Sequence, residues 1–284
     1  MRGGRAAILL AFVVGIAVLV LPARGAAPRG RVVKMTLHSG ALGRSERVLV
    51  YTPPGYSARR ARRYPVVILL HGVPGRPEEF VDHGIAGRLD RLIASGAIPP
   101  VIAALPAGSD HPEDDNEWAD SEVRASERWE TFLASDLVRF LDARYRTTAR
   151  REGRAIGGDS MGAFGAMNVA LHHRDEFAAV SAWSGYFNAN TPSVDNPGSA
   201  LWHAYSPQLY AGEMQPPLRV LHPRISFYVG SRDRFAPENV AFDRRLTSLG
   251  VPHRFSLVRG AGHGWDLWSA RFDSELKFLA RGLR

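Results

Sequence analysis

The chain contains no cysteine. That excludes disulfides, thiol catalysis, thiolate metal sites and acylation at a cysteine. Lysine is scarce as well: Lys34 and Lys277 are the only two, and every other basic side chain is arginine. The formal charge of +8 is scattered among acids rather than gathered in a run. It therefore reads as a solvated surface and argues against nucleic acid as a partner, with attraction to an anionic cell envelope as the minor reading. His-Glu-x-x-His is missing, no other ligand cluster replaces it, and no segment repeats, so neither a metal nor a cofactor is expected. Seven acids crowd residues 109–122, but their spacing matches no EF-hand loop. That stretch reads as a solvated pocket rim, with Trp118 turned toward a substrate cleft.

What is present is a core. Apolar residues make up 45% of the 284, with six Trp and thirteen Phe, enough for a packed globular unit. The first 27 residues look different. Arg2 and Arg5 precede an unbroken apolar run from Ala6 to Leu21, then Pro22 and the small residues Ala23, Gly25, Ala26 and Ala27. This is the pattern of a secretory signal, cut after Gly25 or Ala27. The run falls short of the about 20 residues a membrane span needs, although an uncleaved anchor is the alternative. The expected organisation is a signal peptide over 1–27 and one domain over 28–284, secreted or held at the envelope.

Strand and helix patterns alternate along that domain. Arg31–Leu37 and Arg47–Tyr51 read as a strand pair, and Val66–Leu70 is apolar throughout, as in a central strand covered on both faces. Glu79–Ser95 reads as a helix, Val101–Leu105 as a strand, and Ser126–Tyr145 as the longest helix, with apolar residues at three- and four-residue steps. Strands follow at Arg154–Gly157, Phe177–Trp183, Ile225–Gly230 and Arg254–Val258, and helices at Met161–Leu171, Pro237–Leu249 and Ser269–Leu283. Tyr186–Pro223 breaks the rhythm with six prolines and reads as a lid-like insertion. Alternation of this kind predicts a mostly parallel central sheet with helices on both faces.

The chemistry centres on Gly158-Asp159-Ser160-Met161-Gly162. Gly-x-Ser-x-Gly between a strand and a helix is a nucleophile elbow: the serine sits at the apex of a turn too tight for side chains two residues either side. A serine hydroxyl needs a base, and the base needs an orienting acid. Asp233 follows one strand in Gly230-Ser231-Arg232-Asp233, and His263 follows the last strand in Gly260-Ala261-Gly262-His263-Gly264. The order Ser, Asp, His is that of the α/β-hydrolase fold. Glu238 and Asp266 are the fallback acids. His71-Gly72-Val73-Pro74-Gly75 closes a central strand, so the Val73 N–H and the Met161 N–H are the expected oxyanion donors, with His71 bracing the loop. Trp118, Trp183, Trp202 and Trp265 are the candidate substrate-binding residues, and they suit aromatic, sugar or lipid esters alike.

Three stretches carry a resemblance: Trp129–Leu137, Gly157–Gly162 and Gly262–Trp268. They resemble the esterase family that includes feruloyl esterases, esterase D (S-formylglutathione hydrolase), enterochelin esterases and the antigen 85 mycolyltransferases. The resemblance implies an α/β-hydrolase fold, the roles just given for Ser160, Asp233 and His263, and the same two oxyanion donors. The antigen 85 branch has a glutamate acid and an Asp-Gly turn where this chain has Asp233 and His71-Gly72, which points away from mycolyl transfer. The expected function is an exported serine carboxylesterase acting on a small-molecule, lipid or sugar ester. An acyltransferase on envelope sugars or lipids needs the same residues and stays open, as does a non-catalytic binding protein on a hydrolase scaffold.

Overall fold

The computed structural model describes residues 28–284 apart from 59, 60, 110, 112, 113, 122, 123, 125 and 190–197. The expected signal segment, part of the acidic stretch and part of the insertion lie outside the described residues.

Two nine-residue strands, β1 (Arg31–Ser39) and β2 (Arg44–Thr52), pair antiparallel from Arg31 opposite Thr52 to Ser39 opposite Arg44. Then come β3 (Val66–Leu70), helices α1 (Glu78–Asp82) and α2 (Ile85–Ala94), and β4 (Ile102–Pro106). The predicted single helix over 79–95 is two helices because Gly84 sits at φ 77° between them. That left-handed conformation ends a helix and is inexpensive only for glycine.

A helical run follows, from α3 (Trp129–Thr131) through a wider π turn (Phe132–Leu137) to α4 (Val138–Arg144). It is the predicted long helix, starting three residues later. Next are β5 (Arg154–Asp159), α5 (Met161–His172) and β6 (Ala179–Trp183), then the short helices α6 (Ala200–Ala204) and α7 (Pro207–Tyr210) within the insertion. The chain closes with β7 (Arg224–Gly230), α8 (Ala236–Ser248), β8 (His253–Val258) and α9 (Trp265–Ala280).

The strands form one sheet in the order β1-β2-β4-β3-β5-β6-β7-β8. β2 pairs antiparallel with β4, and every pairing from β4 to β8 is parallel. β3 shows why its sequence is apolar throughout. Val66, Ile68 and Leu70 join the core on one face, with α5 and the Trp129–Leu141 run, whereas Val67 and Leu69 join the core on the other, with α2 and α9. Side chains alternate along a strand, so a strand covered on both faces must be apolar at every position.

The described part of the insertion is docked rather than free. Tyr210 and Leu218 are buried in the α5-side core, and Arg174 donates to the carbonyls of Gln215, Pro216 and Leu221. Among the described residues, no helix is long and apolar enough to cross a membrane.

Candidate active site

The parallel strands all end on one edge of the sheet, and the expected residues meet there. β5 runs into α5 through Ser160, whose backbone sits at φ 53° and ψ −118°. A non-glycine residue at positive φ is strained and is held only by its surroundings. Here the Ser160 N–H donates to Trp183 O at 2.9 Å. The flanking glycines have a steric cause. A Cβ on Gly158 would lie 2.2 Å from Leu70 O, and one on Gly162 2.1 Å from the same oxygen. Ordinary van der Waals contact forbids both.

Ser160 Oγ lies 3.0 Å from His263 Nε2, and His263 Nδ1 lies 2.8 Å from Asp233 Oδ2. With the proton on Nδ1, the ring donates to Asp233 and accepts from the serine hydroxyl. Asp233 Oδ1 also accepts from Phe235 N–H at 3.0 Å. Burial works against charge on Asp233, but the His263 and Phe235 hydrogen bonds outweigh it and lower its pKa. The carboxylate thus stays ionised beside the imidazole. The fallback acid Glu238 is occupied elsewhere: its Oε1 accepts from Phe187 N–H, Asn188 N–H and the Asn188 amide. Asp266 lines the depression on the outer side of His263.

Val73 lies beside Ser160 in a cleft of about 310 Å³ that is also lined by Gly72, Pro74, Glu79, His83, Trp265 and Trp268. Among the described residues nothing accepts from the Val73 N–H. Met161 is the first residue of α5, where a helix leaves its N–H groups without intrahelical acceptors. The loop carrying Val73 is braced from two sides. His71 Nδ1 and Nε2 lie 2.8 and 2.6 Å from the carbonyls of Gly72 and Ala107, and Asp159 Oδ2 accepts from Gly72 N–H at 3.1 Å.

The four tryptophans separate. Trp265 lines the cleft, stacked on His83 with ring centroids 3.8 Å apart and bonded from its indole N–H to Glu79 at 3.2 Å. Trp118 does not line it. It is 1% exposed and donates from Nε1 to His71 O, so it lies beneath the loop that carries Val73 and not in the expected substrate cleft. The neighbouring Asn116, Glu117 and Ala119 are buried too, so this part of the acidic stretch is no solvated rim. Trp183 is wholly buried against Phe80 and Phe272 on the α9 side of the sheet. Trp202 packs beside Phe164, Tyr186 and Phe235, with its indole on Ala189 O. The apolar character that made these residues candidates is equally the character of a core.

Two residues that the motifs did not single out do reach the site. Trp268, one helical turn beyond Trp265, packs edge-on against His263 with centroids 5.3 Å apart. Its position three residues on from Trp265 was the available signal. Asp159 is 1% exposed, and its Oδ1 has no partner. Burial, with Glu79 adding to it, pushes its pKa well above the carboxylate range. Among the described residues, no group of three His, Cys, Asp or Glu is placed to hold a metal ion.

The comparisons with known proteins agree with this architecture. The Esterase family model, described as "Putative esterase", matches residues 39–279. An esterase of Mycobacterium tuberculosis is 33% identical over 150 residues, which cover 52% of this chain and 30% of that protein. The chain therefore spans less than a third of that relative's length. A solved ferulic acid esterase superposes with a TM-score of 0.77 at 27% identity, covering 90% of this chain and 99% of its own. An S-formylglutathione hydrolase from Agrobacterium tumefaciens shares the fold, with a TM-score of 0.74, 20% identity and coverage of 93% and 99%. With the family model running from the end of β1 to the end of α9, the chain belongs to the esterase family and has the α/β-hydrolase fold.

Proposed function

We propose that this protein is a carboxylesterase that works through an acyl-enzyme on Ser160, with His263 as the base and Asp233 as the orienting acid. The observation that carries the reading is the continuous relay, 3.0 Å from Ser160 to His263 and 2.8 Å from His263 to Asp233, built on a strained serine. Ser160 Oγ attacks the ester carbonyl carbon while its proton passes to His263 Nε2. The carbonyl oxygen becomes an oxyanion, held by the N–H groups of Val73 and Met161. Asp233 keeps the ring in the Nδ1–H tautomer and balances the imidazolium charge. Collapse of the tetrahedral adduct breaks the bond to the alcohol oxygen, which takes the proton from Nε2. Water then enters by the same route in reverse and releases the acid. Each oxyanion donor is worth about 10²–10³ in rate.

The cleft beside Ser160 and His263 is walled by Trp265, His83 and Glu79. A polyol that entered there in place of water would turn hydrolysis into acyl transfer with the same residues. Residues 1–27 remain our reading of an export signal, tested by the N-terminal sequence of the protein recovered outside the cell.

The decisive assay compares wild type with Ser160→Ala on p-nitrophenyl esters from acetate to long acyl chains, with and without glycerol. We expect turnover that is independent of glycerol and lost in the variant. Product appearing mainly as acylated glycerol would make the enzyme a transferase. Equal inertness of both forms, with Ser160 unlabelled by a fluorophosphonate, would leave a binding protein on a hydrolase scaffold.

A further inference from the structure

Ser184 occupies on β6 the position that Ser160 occupies on β5. Asp159 pairs with Trp183 across the two parallel strands, so each serine is the first residue beyond its strand at the same sheet edge. Both have positive φ, 53° for Ser160 and 51° for Ser184. Glycine would hold that backbone with less strain, yet the serine is present and wholly buried. Strain kept at a buried polar residue points to a use for the side chain.

The hydrogen bonds identify the use. The Trp268 indole N–H donates to Ser184 Oγ at 3.1 Å. With an acceptor lone pair engaged, the hydroxyl proton is free to be donated, and the Asp233 carboxylate is the neighbouring group whose charge it favours. Asp233 thus gathers three donors from three segments: Ser184 O–H from the end of β6, Phe235 N–H from the start of α8, and His263 Nδ1–H from the loop before α9. Trp268 closes the ring of contacts by packing against His263.

We propose that Ser184 is a positioning residue for the reaction: its hydroxyl, aimed by the Trp268 indole, fixes the Asp233 carboxylate in the orientation that holds His263 toward Ser160. The proposal rests on the reading of Ser160, His263 and Asp233 as the reacting relay. Without the hydroxyl, Asp233 keeps two donors instead of three. Its negative charge is then less dispersed, and it holds the His263 imidazolium more tightly. The base is consequently protonated to a higher pH. The other charged or titratable groups around His263 are Glu79, Asp82, His83 and Asp159 in the cleft and Arg232 and Asp266 on the outer side. None of them changes in the variants below.

The test is the pH profile of kcat/KM for Ser184→Ala and Ser184→Gly beside wild type. Glycine removes the hydroxyl and also relieves the backbone, so it stays folded even where alanine does not. In both variants the acidic limb should move up by roughly half to one pH unit. kcat should fall about tenfold, the order of one lost hydrogen bond to a charged group, with KM little changed. A Ser184→Gly enzyme with the wild-type limb and kcat overturns the proposal, as does a variant that only melts earlier. Turnover that survives in Ser160→Ala is a separate result: it sinks the reading of the relay itself, whatever Ser184 does.

Discussion

Asp159, the variable residue of the elbow motif, sits buried between the nucleophile and the oxyanion loop with one oxygen unpartnered. Burial, reinforced by Glu79, raises its pKa well above the carboxylate range, so the folded protein holds a proton there that the unfolded chain releases above about pH 4. The contribution is fully present below the unfolded pKa and is lost as pH rises toward the folded value. Asp159→Asn keeps an acceptor for Gly72 N–H and has no charge to expose. Its melting temperature should rise relative to wild type between pH 5 and pH 8, read by thermal melts at both. An Asn variant that tracks wild type at both would mean that Asp159 is ionised in the folded state. At the same scale, His263→Ala should reduce kcat by about 10⁴ or more with the fold intact by circular dichroism.

Among the elements, the elbow and the α3–α5 joint carry separate demands. Gly162→Ala places a methyl group 2.1 Å from Leu70 O, a backbone atom that cannot step aside. The expected outcome is loss of soluble folded protein, or a destabilisation above about 3 kcal/mol by denaturant titration. The joint is electrostatic. Glu130 Oε1 accepts from His172 Nδ1 at 2.8 Å and His173 Nε2 at 2.9 Å, and His172 Nε2 reaches Ala204 O of the insertion. Burial opposes the Glu130 charge, but the two histidine hydrogen bonds outweigh it and hold its pKa far below the carboxylate range. Burial likewise opposes charge on His173, and Glu130 outweighs it and raises that pKa. The Glu130 contribution is present above the unfolded carboxylate pKa and lost as pH falls. The His173 contribution is present below the unfolded histidine pKa and lost as pH rises through its raised value. The joint is therefore firmest between about pH 4.5 and 6.5. Glu130→Gln should cost about 2 kcal/mol in that window, read by urea unfolding, and less at either side of it.

Across the whole molecule, both faces of one sheet must be covered before the site exists. α9 covers the α2 face and carries Trp265 and Trp268, while the loop before it carries His263. Phe272 on α9 is wholly buried against Phe80, Trp183 and Trp265. Phe272→Ala should cost about 3–5 kcal/mol, and esterase activity should disappear in the same thermal transition as the far-ultraviolet signal. Activity lost well before that signal would mean that α9 opens on its own. The sequence by itself determined what depends on neighbours along the chain. Apolar runs of Val66–Leu70 type mark a doubly covered strand, the alternation marks a parallel sheet, and glycines spaced around Ser160 mark a turn that admits no other residue. The order of Ser160, Asp233 and His263 could be read because each follows a strand, and parallel strands end on one edge. The tertiary structure alone decided which of four tryptophans lines the cleft beside Ser160, since a large apolar ring serves a core and a cleft equally well. It also decided the partners of Ser184, Trp268 and Asp159, because those hydrogen bonds join segments 84 and 87 residues apart. No local pattern encodes a contact that exists only after the sheet has formed and its strand ends have been brought within a few ångströms of one another.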